Sequence, residues 1–123
     1  MKRNRSMYKR GIVAAIAALL CAAPAMAAVH YACSGPVNGV TVTPGGVVSA
    51  AAAGGQSWGF FCQLAGTTNN ISPEACKGIL AVLLTAQTSG KTVTLWYDDD
   101  LTCSTHAGWA WLTTVYWGPT INE

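Results

Sequence analysis

Hydrophobic residues change rhythm along this chain. From Gly11 to Ala23 they run without interruption, behind Lys2, Arg3, Arg5, Lys9 and Arg10 and with no acidic residue among them. Pro24 and the small residues of Ala25-Met26-Ala27 follow, which is the layout of an export signal cleaved after Ala27. The apolar run is shorter than the ~18 residues needed to cross a bilayer, so no stable membrane anchor is expected after cleavage. Cys21 follows the bulky Leu20, where a lipid-modified leader would carry Gly or Ala. The chain is therefore read as a signal peptide over 1–27 and one domain over 28–123, secreted or periplasmic.

Beyond the leader the period falls to two. Val40, Val42 and the Val47-Val48 pair flank Pro44-Gly45-Gly46, a hairpin pattern, whereas Ser34-Gly35-Pro36 reads as a turn. From Ser57, residues Trp58, Phe60, Cys62 and Leu64 alternate onto one side of an extended chain, with Phe61 as the exception. The period then changes to that of a helix. Ser72-Pro73-Glu74 supplies an N-cap, a proline for the first turn and an acid beside the positive helix end. Cys76, Ile79, Leu80, Leu83 and Ala86 keep helical spacing up to the stop at Gly90. Alternation returns over Lys91–Tyr97 and again over Trp109–Trp117, where Trp109, Trp111 and Trp117 share one face.

Three strands, a helix and two strands is the order of a five-stranded OB-like barrel, mainly β with one helix. An α+β antiparallel sheet covered by one helix is the alternative.

Charge changes the picture once the leader is removed. The whole chain has a formal charge of +2, but five of its seven basic residues lie before Gly11. Lys77 and Lys91 then face Glu74, Asp98, Asp99, Asp100 and Glu123, two against five, for a net charge of −3. No basic face can be assembled for phosphate contacts, so nucleic acid is excluded as a partner. Cys33, Cys62, Cys76 and Cys103 form an even set, which reads as a disulfide framework in a short exported chain. Of the three pairings, the nested one is favoured: Cys62–Cys76 closes a polar loop, and Cys33–Cys103 ties the start of the domain to a late turn.

The opening Cys33-Ser34-Gly35, the Trp58–Cys62 strand, Ile71-Ser72-Pro73-Glu74-Ala75-Cys76 and the helix ending Leu83-Leu84-Thr85-Ala86 together resemble small exported four-cysteine bacterial proteins of unassigned function. Ser89-Gly90-Lys91-Thr92-Val93-Thr94-Leu95 and Cys103-Ser104 extend that resemblance over nearly the whole domain. More distantly, the helix followed by a Ser-Gly-Lys turn and a strand resembles the OB-fold B subunits of AB-type toxins such as subtilase cytotoxin. That second resemblance implies glycan binding and assembly as a homo-oligomeric ring. It carries over no individual binding residue.

Candidate chemistry is sparse. Gly55-Gln56-Ser57-Trp58-Gly59 spells the nucleophile elbow of a serine hydrolase, and His106 with one of Asp98, Asp99 or Asp100 would complete a triad. That elbow should leave a strand and open a helix, whereas here it enters a strand. His30 and Cys33 with Cys103 and His106 have ligand types suited to zinc, but an oxidising compartment converts the thiols to a disulfide. The three aspartates lack the spaced ligands and central glycine of a calcium loop and read as a solvated turn. Asn70-Ile71-Ser72 spells a glycosylation sequon, with Ser72 already required as a helix cap. No catalytic residue, metal ligand or cofactor is assigned.

The aromatics remain. Trp58, Phe60 and Tyr97 are expected in the core, while Trp96, Trp109, Trp111 and Trp117 outnumber the places one small core offers. An exposed aromatic stripe with few charges suits stacking on sugar rings or the apolar centre of a protein interface. The expectation is a non-enzymatic exported binding module for a carbohydrate or protein ligand. The rivals are a small structural or inhibitor-like protein and, third, a zinc-binding or hydrolytic enzyme.

Overall fold

The computed structural model describes residues 30–123, so the leader expected over 1–27 lies outside the described residues. Helix α1 (Pro73–Ser89) forms where its local signals place it. Ser72 stays extended, at φ −71° and ψ 159°, and its Oγ accepts from the Ala75 N–H at 3.2 Å. At the other end Gly90 adopts the left-handed conformation that glycine tolerates best, at φ 68°, and its N–H returns to the last turn. Cys76, Leu83 and Ala86 make up the buried stripe of the helix.

Two sheets receive that stripe. Strands β1 (Tyr31–Pro36), β5 (Thr92–Tyr97) and β7 (Val115–Ile121) form an antiparallel three-stranded sheet in the order β1-β5-β7. Strands β2 (Thr41–Val42), β3 (Val47–Ala53), β4 (Gln56–Gln63) and β6 (Ala110–Trp111) form a second sheet in the order β2-β3-β4-β6. The β4–β6 pair is parallel and the others in that sheet are antiparallel. The core lies between the sheets and α1, with Val48, Cys62, Leu83, Val93, Leu95 and Tyr97 all but sealed from solvent.

The protein is thus mainly β with one helix, but the five-stranded OB-like barrel is not what forms. Among the described residues the strands make two sheets and no closed barrel, so the α+β reading of sheet covered by helix is the one that fits. Two departures account for this. Ser34-Gly35-Pro36 continues β1 and pairs with Thr92–Thr94 instead of turning. Gly35 permits it: a side chain there would collide with the Gly55 backbone at the β3–β4 turn. The stretch Trp109–Trp117 is also two strands, since Leu112 turns into the core and its N–H donates to Phe60 O at 3.0 Å.

A further correction concerns β4. Val48 pairs with Cys62 and Ser49 with Phe60, which leaves Phe61 as an unpaired extra residue, a β-bulge. Phe61 and Cys62 therefore both go inward, and Trp58 and Phe60 move away from the core positions expected of them: Trp58 is exposed and Phe60 half-buried. Tyr97 is buried.

The disulfides are Cys33–Cys103 and Cys62–Cys76. They fit an oxidising compartment, and among the described residues no helix is long and apolar enough to cross a membrane. Cys62–Cys76 joins β4 to the first turn of α1 across 14 residues, and Cys33–Cys103 joins β1 to the loop after β5 across 70. On loop-closure entropy, replacing both members of the first pair with Ala should lower unfolding stability by about 3 kcal/mol, and of the second by about 4 kcal/mol. Urea denaturation of the two double variants should rank them in that order.

Candidate functional site

Residues 98–109 have no strand or α-helix, yet they are anchored to the sheets at several points. Asp99, just beyond β5, accepts from the Tyr31 hydroxyl on Oδ1 at 2.5 Å, from the Leu101 N–H on the same oxygen at 2.9 Å, and from the Thr114 hydroxyl on Oδ2 at 2.5 Å. It ties the start of β1 to the approach to β7. Cys103 is bonded to Cys33 of β1. His106 Nε2 lies 2.6 Å from the Tyr31 oxygen, and Ala107 O accepts from the Gln56 side-chain amide at 2.7 Å. The loop ends by delivering Trp109 and β6 alongside β4.

Electrostatics follow from this geometry. Desolvation alone would raise the Asp99 pKa, but hydrogen bonds from Thr114, Tyr31 and the Leu101 backbone, with the nearby His106, outweigh it and hold the carboxyl below the usual range. Burial, then the hydrogen bond to Asp99 and its charge, pushes the Tyr31 phenol well above its ordinary value. Burial and the same charge push Tyr97 up to about 12.

Beside the loop stands an aromatic ladder. In the parallel β4–β6 pair Gly59 faces Ala110 and Phe60 faces Trp111, so Trp58 and Trp109 come opposite one rung further on. The Trp58 and Trp109 indoles stack with centroids 4.3 Å apart and planes within 7°. Phe60 meets Trp111 at 5.7 Å and 58°, closer to edge-to-face. Trp109 is 65% exposed. Both stacked tryptophans sit at positive φ, 49° for Trp58 and 58° for Trp109. That conformation is strained for a bulky residue, and such strain concentrates at functional sites. Behind the ladder, Leu112 and Gln56 pack against Gly59, where a Cβ would stand 3.0 Å from Leu112.

The four tryptophans expected to be available therefore divide. Trp109 and Trp111 belong to the ladder, whereas Trp117 lies in the other sheet, so the three do not share one face. Trp117 is 66% exposed and borders an apolar groove between α1 and β7, and Trp96 is half-buried opposite it in β5.

Of the hydrolase candidates, His106 and Asp99 do come together, with His106 Nε2 3.9 Å from Asp99 Oδ2, but Ser57 does not join them. No hydrogen bond joins Ser57 to His106, whose Nε2 faces Tyr31 instead, so the hydrolase spelling corresponds to no triad. The sulfurs of Cys33 and Cys103 are bonded to each other, which removes the thiolates a zinc site would use. Among the described residues no group of three or more His, Cys, Asp or Glu is placed to hold a metal ion. Asp98 and Asp100 are exposed as expected of a solvated turn, but Asp99 is not. Sequence reasoning named Asp99 only as one of three interchangeable aspartates and missed Tyr31, Thr114 and Gln56, which join it only through tertiary contacts. The ladder did leave a signal: Trp58-Gly59-Phe60 and Trp109-Ala110-Trp111 share an aromatic-small-aromatic spelling. Comparison of the chain with protein-family models, curated proteins and solved structures gives no match.

The depressed Asp99 pKa sets a sign for acid stability. The ionised carboxylate stabilises the fold above the unfolded value of about 3.9, and this contribution is lost as pH falls through the lower folded value. Asp99→Asn should thus lower the melting temperature at pH 7 and flatten the decline in stability below about pH 4, read by circular dichroism melts across pH.

Proposed function

We propose that this chain is an exported, non-enzymatic glycan-binding module whose contact surface is the ladder of Trp58, Phe60, Trp109 and Trp111. The observation that carries the reading is the Trp58–Trp109 stack. One face of the Trp109 indole is covered by Trp58, and the residue remains 65% exposed. A free indole face is negative and apolar, and the C–H face of a sugar ring is apolar with a slight positive charge, so the two stack with little desolvation cost. Backbone strain at both tryptophans and the anchored loop fix the platform before a ligand arrives, which reduces the ordering cost of binding. The small structural protein with all aromatics in its core lacks a use for this surface. Hydrolysis lacks a nucleophile joined to a base.

Trp109→Ala is the direct test, because the residue is exposed and its loss leaves the core intact. On a glycan array and by intrinsic tryptophan fluorescence titration, the wild-type chain should bind at least one oligosaccharide. The variant should bind it about tenfold or more weakly, a change of ~1.4 kcal/mol. An array with no bound sugar, or Trp109→Ala with wild-type affinity, would reject the reading.

A further inference from the structure

Next to the ladder is a cleft of ≈ 210 Å³ whose walls include Trp111, Gln56, Asp99, His106 and Thr113. It is smaller than the roughly 300 Å³ at which sites for drug-sized ligands begin, and so suits a single ring.

Gln56 is only 3% exposed, and its amide nitrogen donates to Ala107 O and Ser57 O. Both acceptors are carbonyls, which fixes the orientation of the amide and leaves Oε1 buried with no donor. Asp99 Oδ1 already takes two donors, whereas Oδ2 takes only Thr114 and retains a lone pair. The Tyr31 proton is given to Asp99, so the Tyr31 oxygen accepts from His106 Nε2–H. In the neutral ring that leaves Nδ1 as an acceptor. The unmade capacity of Gln56, Asp99 and His106 is that of acceptors, with Gln56 Oε1 sealed from solvent, and the Thr113 hydroxyl at the cleft wall adds a group that can donate or accept.

We infer that this cleft is the specificity subsite of the glycan-binding surface, taking one uncharged sugar ring whose hydroxyls donate to Asp99 Oδ2 and His106 Nδ1 while Trp111 covers an apolar edge. The inference rests on the glycan-binding reading and adds a direction to it. Neutral sugars supply hydrogens to both acceptors. A uronic or sialic acid carboxylate brings lone pairs to lone pairs and a like charge to Asp99, an arrangement that selects by repulsion as well as attraction.

The test pairs neutral oligosaccharides with the same oligosaccharides oxidised to carboxylates at C6, titrated into the full domain by intrinsic fluorescence. Oxidation should weaken binding by about tenfold or more. Thr113→Glu is the second arm. Thr113 is exposed and its hydroxyl makes no internal hydrogen bond, so the substitution places a carboxylate at the cleft wall without removing a structural contact. It should weaken the neutral ligand by about tenfold or more. Equal binding of neutral and oxidised ligands, or wild-type affinity in Thr113→Glu, overturns the cleft assignment. If Trp109→Ala still abolishes binding in that case, the stacking platform survives alone. If no sugar of either kind binds, both readings fall together.

Discussion

The extra residue at Phe61 decides which side of the four-stranded sheet faces water. In an extended strand successive side chains alternate, so one unpaired residue exchanges inside for outside over everything that precedes it. With Phe61 unpaired, Cys62 reaches Cys76 on the helix, and Phe61 fills the core beside it. Trp58 and Phe60 are turned outward by the same step. Strand β6 then has an aromatic surface to lie against, and Trp109 and Trp111 take register from it. The core on one side and the aromatic ladder on the other are two results of a single insertion.

The loop between β5 and β6 owes its order to polar anchors and the Cys33–Cys103 bond instead of apolar burial. Asp99 gathers donors from β1, from its own turn and from Thr114, while Gln56 holds the loop near its far end. Charge-assisted hydrogen bonds of this kind are directional and so fix position as well as proximity. The sheets set where the ladder stands, and these anchors set where the cleft opens relative to it. Stacking surface and polar wall are held by different forces and meet at Trp111.

How much of this the sequence discloses depends on how local the cause is. The helix is legible because Ser72, Pro73, Glu74 and Gly90 each act within one turn of where they stand. Mainly β character with one helix is legible from alternation. The break of the final strand is not, because Trp109–Trp117 reads as one extended stretch with neither face plainly polar, and only the pull of Leu112 into the core divides it. The bulge is equally concealed, although Phe61 as the odd residue in the alternation marks its place. At the site, the exposed tryptophans are readable as a class, but Asp99 looks like its two exposed neighbours until Tyr31, 68 positions earlier in the chain, is brought against it.

The Cys33–Cys103 bond has one buried end and one exposed end: Cys33 is sealed within β1, and Cys103 stands open on the loop. Everything between Asp99 and Trp109 hangs on the loop that this bond closes. A thiol-rich interior such as a cytosol reduces accessible bonds of this sort, and the loop there is left with hydrogen bonds alone. Possession of an organised aromatic surface is thereby linked to location. The reduced chain carries the parts of that surface without its fixed arrangement, and oxidation completes it.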